Sequence, residues 1–372
     1  MSLYTFNDST KLILSEIYRN HPISRKDIAA ATGLSRASVS YGIEELIGQG
    51  IVVEKGNSSG SVNGGPRPIN LQIDADHAFV ITALIRKNEP IMQVDNLLGE
   101  TKATYCFQKK NYEAVSEVLP ELDAFAHQAL EEFGSDRILG VGVSVPGNVE
   151  NNRIVNAPVG GLTNLDVAGM LSESLKKNVY LERDVHSMAY GEHWQGNGRQ
   201  YDDFIAVWCG TGIGSAAMIN QKLVRGASGL AGEIGFMAVG PEAYREKPYT
   251  LNGFGHFESI ASVQNIENKY GQSIMKLMEA EEISPELEHD LYRISDILAI
   301  GLTNMILLLN PSAILINGRL RYAQRVIQDY LKQQVQRLCP VECKIEYSFL
   351  GTKAILLGGT YLVLKKELGI SL

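Results

Sequence analysis

Cysteine is scarce here: 372 residues contain four, Cys106, Cys209, Cys339 and Cys343. That excludes a disulfide-stapled scaffold and fits a reducing compartment, so a cytoplasmic location is expected. Cys339 and Cys343, spaced four apart across Pro340, are expected as a buried or loop pair without metal. No run of 18 apolar residues and no charged, apolar, small-residue leader occurs, so neither export nor a membrane partner is expected. Excess basic charge is also missing. The net charge is −8, which excludes a polycation that coats nucleic acid indiscriminately. No short tandem repeat and no low-complexity tract occurs beyond one loop near residue 60.

What is present is a soluble, two- or three-domain composition, with 45% hydrophobic and 20% charged residues. The charge is uneven. Residues 1–75 carry seven basic and seven acidic side chains, so the remainder holds the whole excess of −8. Any nucleic-acid contact in the first segment must therefore come from the placement of a few residues.

That first segment predicts three short helices. Leu12, Ile13, Ile17 and Tyr18 recur at helical spacing, and His21-Pro22 stops the run. Ser24 with Asp27 three positions on reads as a capping-box-like start. Thr32-Gly33-Leu34 makes a turn, and Ser35 caps a third helix with Val39, Ile43, Leu46 and Ile47 on one stripe. Strands over 51–55 and 69–73, joined by a Gly/Asn/Ser loop, complete a winged helix-turn-helix. Its recognition helix would present Ser35, Arg36, Ser38, Ser40 and Tyr41 to operator DNA. Arg36 suits a guanine edge, because a guanidinium pairs with O6 and N7 together. Arg25 and Lys26 suit phosphates, and Arg67, between two prolines, suits the minor groove or the backbone.

The rest alternates strands and helices. Strands are expected over 78–85, 91–95, 101–108 and 138–145, and again over 204–209, 215–219, 313–316 and 344–349. Helices are expected over 112–133, through much of 259–309, and over 358–368. This is an α/β reading with two lobes of similar plan and a cleft between them. The boundaries drawn are 1–75 for the winged helix, 76–200 for the first lobe and 201–372 for the second.

Several stretches carry chemistry: VGVSVPG at 141–147, NAP at 156–158, LERDVHSMAYGE at 181–192 and GTGIG at 210–214. RGASGLAGEIG at 225–235, GHFESIAS at 255–262 and NPSAILING at 310–318 complete the set. Asp184 falls where a strand ends and a helix begins, the usual place for chemistry in α/β folds. In this order the stretches resemble the ROK family of repressors and sugar kinases. The resemblance covers roughly 78–372, and the first segment resembles the winged helix of its repressor branch. It implies an actin-like, ribonuclease H-like ATPase-type fold of two lobes.

By that resemblance, Asn156, Asp184, Glu233 and Glu258 would contact a carbohydrate, with Asp184 as a vestigial general base. Arg183 stands where the kinases have the Asn of an Asn-Asp pair, and His186 replaces another Asn. Either would suit a sugar derivative with a phosphate, a carboxylate or another acceptor-rich group. Arg183 could instead pair with Glu182, Glu192 or Asp184. The kinases open on Asp-x-Gly-Gly-Thr, whereas 82–88 reads TALIRKN, with neither a glycine for a phosphate nor an acid for Mg²⁺. The family's zinc site is also altered: Phe236 replaces its His, and Tyr249, Leu251 and His256 fall where its Cys residues stand. No nucleotide cofactor, metal or catalysis is therefore expected. The expected protein is a ligand-responsive transcriptional regulator, a homodimer or homotetramer on operator DNA. The alternative is an active sugar kinase with an appended DNA-binding domain.

Overall fold

The structure, a computed structural model, describes residues 4–57, 69–114, 117–156, 165–244, 249–250 and 253–372. Its contacts divide the chain into two compact units. One comprises Met1–Ser144, Asp166–Leu181 and Gly359–Leu372; the other comprises Val145–Leu165 and Glu182–Gly358. These units are discontinuous, unlike the linear boundaries at 75 and 200. The chain leaves the first unit after Ser144 and returns to it twice.

The first unit opens with α1 (Asp8–Asn20), whose cap Asn7 accepts the Thr10 N–H at 3.0 Å. Then come β1 (Ile23–Ser24), α2 (Arg25–Thr32) and α3 (Arg36–Gly48). As expected, Ser24 and Ser35 cap α2 and α3. β2 (Val52–Asn57) and β3 (Ile69–Ile73) form the wing, and the small sheet runs β1-β3-β2. Ile13, Ile17, Ile28, Val39, Ile43 and Leu46 are buried and form the apolar interior of this head.

Along the chain follow β4 (Phe79–Leu84), β5 (Ile91–Asn96), β6 (Thr101–Tyr105), α4 (Val118–Phe133) and β7 (Ile138–Val145). The hairpin β8 (Asn148–Glu150) and β9 (Arg153–Asn156) belongs to the second unit. α5 (Val167–Leu175) and β10 (Val179–Arg183) come next. The second unit continues with α6 (Asp184–Gln195), β11 (Phe204–Cys209), β12 (Ile213–Ile219) and β13 (Lys222–Leu223). Helices α7 (His256–Ala261), α8 (Val263–Tyr270), α9 (Ile274–Leu277) and α10 (Pro285–Leu309) precede β14 (Ala313–Gly318). α11 (Gln324–Leu338), β15 (Lys344–Tyr347) and α12 (Thr352–Glu367) end the chain.

The two five-stranded sheets repeat one plan. Their orders are β10-β7-β4-β5-β6 and β13-β12-β11-β14-β15. In each, three antiparallel strands form one side, and the first of them is joined by parallel pairing to the fourth. This is the duplicated α/β plan anticipated for an actin-like fold.

Two elements differ from expectation. The helix foreseen from 112 begins at Val118. α12 begins at Thr352 rather than near 358, because the Gly358-Gly359 pair, which reads as a helix start, lies mid-helix. A Cβ on Gly358 would lie 1.7 Å from the Ser187 carbonyl oxygen, and one on Gly191 would lie 1.9 Å from that of Ala354. Glycine is there so that α6 and α12 can meet backbone to backbone, which outweighs its poor helix propensity. α10 is long and apolar enough to cross a membrane by length and composition, yet 56% of its most apolar window is buried inside the fold. Its Leu291, Ile294, Leu298 and Leu302 belong to the main apolar cluster of the second unit.

Candidate functional site

The head presents α3 as anticipated. Ser35 Oγ accepts the Ser38 N–H at 3.1 Å, and the two hydroxyls lie 2.9 Å apart. These two serines therefore help to start the helix. Val39 is buried, whereas Arg36, Ser38 and Tyr41 are exposed and Ser40 is half-buried. A shallow groove of about 450 Å³, lined by Asn7, Ser9, Thr10, Ala37, Ser38 and Tyr41, runs beside this face. Lys26 is exposed; Arg25 pairs with Glu54 on β2 at 2.7 Å, tying α2 to the wing. Arg67 lies outside the described residues.

In the second unit, the end of β10 and the start of α6 place Glu182, Arg183, Asp184 and His186 within one turn. Glu182 is buried, and its carboxylate accepts both terminal nitrogens of Arg225, one of them at 3.1 Å. It also faces His186 Nδ1 at 3.0 Å and accepts the Arg183 N–H at 3.0 Å. Burial pushes its pKa up, but the hydrogen bonds from His186 and Arg225 outweigh burial and hold it at about 2. Glu182 thus stays ionised in a nearly dry site, with its charge compensated. His186 Nε2 is buried without a hydrogen-bond partner.

Arg183 does not pair through its guanidinium with Glu182, Glu192 or Asp184, the partners its sequence position suggested. Its Nη2 lies 2.7 Å from Glu233 Oε1, and Nη1 reaches the Ala231 carbonyl at 3.4 Å. The reason is direction. The guanidinium leaves β10 towards the loop after β13, while the Glu182 carboxylate is taken by Arg225. Asp184, half-buried, accepts the Val185 N–H at 2.8 Å at the first turn of α6.

Glu258 sits where α7 starts. It accepts the Gly255 N–H at 2.8 Å and the Ile213 N–H at 3.1 Å, so it binds that helix to the 210–214 turn. Burial raises its pKa against these two bonds, and the nearby Glu233 charge adds to the rise. A Cβ on Gly212 or Gly235 would fall 2.5 or 2.7 Å from this carboxyl group. The structure therefore brings Arg183, Glu233 and Glu258 into one neighbourhood. Asn156 ends β9, and its side chain lies outside the described residues.

Sequence reasoning missed Glu182 and Arg225, the strongest ionic link of the site. The signal was available: both lie inside the quoted stretches and carry opposite charge, but nothing local paired them across 43 residues.

The stretch after β4 and the 210–214 turn are both engaged within the protein. After β4, the Lys87 carbonyl accepts the Tyr112 N–H at 2.9 Å, and Arg86 Nε folds back on the Glu89 carbonyl at 2.9 Å. In the 210–214 turn, the Thr211 hydroxyl accepts from Arg319 at 3.0 Å, and Arg319 pairs with Glu267 at 2.6 Å. Among the described residues, no three His, Cys, Asp or Glu side chains gather as a metal-binding set. His256, buried, instead receives the Val239 N–H on Nδ1 at 3.4 Å.

The MarR family profile matches residues 4–59. The chain is 26% identical over 385 residues to a xylose repressor of Caldicellulosiruptor bescii, covering 96% of this chain and 95% of that protein. It is 26% identical over 271 residues to an N-acetyl-D-glucosamine kinase of Yersinia enterocolitica, covering 68% of this chain and 89% of the kinase. Among solved structures, a ROK family transcriptional regulator described as a homolog of the E. coli MLC protein matches with a TM-score of 0.77 and 20% identity, over 97% of this chain and 98% of that one. A ROK family glucokinase from Streptomyces griseus, in complex with glucose and AMPPNP, matches with a TM-score of 0.65 and 21% identity, over 77% and 99%. The ROK family profile matches residues 95–366, nearly three-quarters of the 372, and the chain belongs to the ROK family.

Proposed function

We propose that this protein is a sugar-responsive transcriptional repressor. The winged helix reads operator DNA through the exposed face of α3, with Arg36 on a base edge and Lys26 on phosphate. The cluster of Arg183, Asp184, His186, Glu233 and Glu258, with Asn156, receives a sugar or sugar derivative. The effector must bind one state of the protein better than the other to change operator affinity. The protein works in the cytoplasm as a homodimer or homotetramer, because helix-turn-helix heads read paired half-sites.

The observation that carries this reading is the match to xylose repressors over 96% of the chain, head included. The stretch after β4, with neither glycine nor acid, supports a protein without ATP chemistry. A kinase reading is favoured by Asp184 at the first turn of α6, by the 210–214 turn and by the kinase match over 68% of the chain.

The test has two arms. Duplexes selected from a random pool by the full chain are titrated in the presence of D-xylose, other pentoses, hexoses, sugar phosphates and sugar acids. Sequence-selective binding that at least one sugar weakens is expected. A coupled assay with MgATP and the same panel is expected to show no turnover. Turnover would move the protein to the kinase reading, and failure to select any duplex would refute the repressor reading.

A further inference from the structure

Glu233 leads into a single 3₁₀ turn, Ile234–Phe236, and its carbonyl accepts the Phe236 N–H at 3.2 Å. From Phe236 the side chains alternate. Met237 and Val239 pack on the main apolar cluster of the second unit. Phe236, Ala238 and Gly240 line a cavity of about 520 Å³ instead, together with Ala243, Tyr244 and Tyr249. This wall is held against the start of α7. A Cβ on Gly255 would lie 2.4 Å from Phe236 Cα, and His256 Nδ1 accepts the Val239 N–H at 3.4 Å. α7 carries Glu258, and a Cβ on Gly235 would lie 2.7 Å from the Glu258 carboxyl group. The residue next to the Glu258 carboxyl group is thus followed directly by the first ring of the cavity, on the same turn that Glu233 opens.

The chemistry of the cavity is specific. Alanine and glycine make part of its wall, and three aromatic rings stand around them. Tyr244 is 91% exposed, an unusual position for a ring unless its face has something to meet. The polar groups at hand are the two tyrosine hydroxyls and the Glu242 carboxylate, whose Oε2 would lie 2.6 Å from a Cβ on Gly240. Among the described residues, no Lys or Arg lines the cavity. With Glu233, Glu242 and Glu258 around it, the region disfavours a phosphate or carboxylate and offers acceptors to hydroxyl donors. Aromatic faces with a few acceptors suit a saturated ring that has apolar C–H faces and a hydroxylated edge. The volume falls within the range of about 300–1,000 Å³ usual for small-molecule sites.

We infer that this cavity is a second sugar subsite, and that the effector is an uncharged disaccharide or longer glycan. One ring sits at Glu233 and Glu258, and the next stacks among Phe236, Tyr244 and Tyr249. This rests on the reading of Glu233 and Glu258 as sugar contacts and deepens it, since it fixes the size and charge of the effector. A monosaccharide fills the first subsite alone and leaves the three rings in water. A glycan with a second ring also removes those faces from water, and that gain is what distinguishes it.

The test is calorimetric titration of the full chain with D-xylose against xylobiose, and with D-glucose against cellobiose and maltose. In at least one of these pairs the disaccharide is expected to bind about tenfold or more tightly than its monosaccharide. Two variants then address the cavity itself. Tyr244→Ala removes a ring, and Ala238→Trp fills the space. Both residues are exposed, so the fold should tolerate either change, and urea unfolding checks this. Each variant should bring the ratio of the two dissociation constants to within about twofold of one. Equal affinity within every pair would overturn the inference, as would a disaccharide preference that survives both variants. Monosaccharide binding without any disaccharide preference refutes the second subsite and leaves the sugar-sensing reading standing. No binding of any of the five sugars refutes both.

Discussion

Replacing Arg225 by alanine is the most direct probe of the site, since it removes one of the two side chains that compensate a buried charge. Glu182 is 3% exposed, and its folded-state pKa falls from 4.5 to about 2. At 1.36 kcal/mol per pH unit, that difference favours the folded state by roughly 3 kcal/mol near neutral pH. The pKa of Arg225 is displaced upward: burial lowers it, and the hydrogen bond to Glu182 more than compensates, so both partners point the same way. Because the folded pKa of Glu182 is depressed, this stabilisation is complete above pH 4.5 and is lost as pH falls towards 2. Arg225→Ala should therefore cost up to about 3 kcal/mol at pH 7, less than breaking a pair buried on both sides, since the Arg225 side chain is itself 43% exposed and His186 still faces the carboxylate. Urea unfolding of wild type and variant, repeated from pH 7 down to pH 3, measures this. The gap should narrow as pH falls below about 5. Pairing Arg225→Met with Glu182→Leu should recover much of the loss, since no charge is then left buried alone. A cost under about 1 kcal/mol for Arg225→Ala, or a gap indifferent to pH, would refute this account.

Arg36→Ala should weaken or relax operator choice by about 1–3 kcal/mol if the guanidinium reads a base, and anisotropy against matched and single-substituted duplexes will show it. Glu233→Gln keeps an acceptor for Arg183 but halves the acceptor capacity offered to sugar hydroxyls. Operator binding should persist while the sugar response is blunted, and an unchanged response in the titration would remove Glu233 from the site. Glu258→Ala leaves the Gly255 and Ile213 amides without their acceptor and should lower stability by about 1–3 kcal/mol, read as a fall in the urea midpoint with operator choice unchanged.

Where function depends on neighbours within one turn, it was legible in the sequence. Ser24 and Ser35 cap α2 and α3, because a hydroxyl reaches an amide three residues on whatever lies around it. The duplicated run of strands, and the position of Asp184 where β10 passes into α6, follow from hydrophobic period and turn chemistry. Partners at long range were not legible. Arg183 has three acids within ten residues and takes a fourth, Glu233, fifty residues away, because the strand aims it there. Glu182 finds Arg225, α12 runs through two glycines, and residues 369–372 reach α1, each through a contact made only once distant backbone is brought together. Capping and periodicity are properties of a short stretch of chain and survive in the bare sequence. Ion pairs and close backbone approaches are properties of relative position, which only the packing of sheets and helices decides.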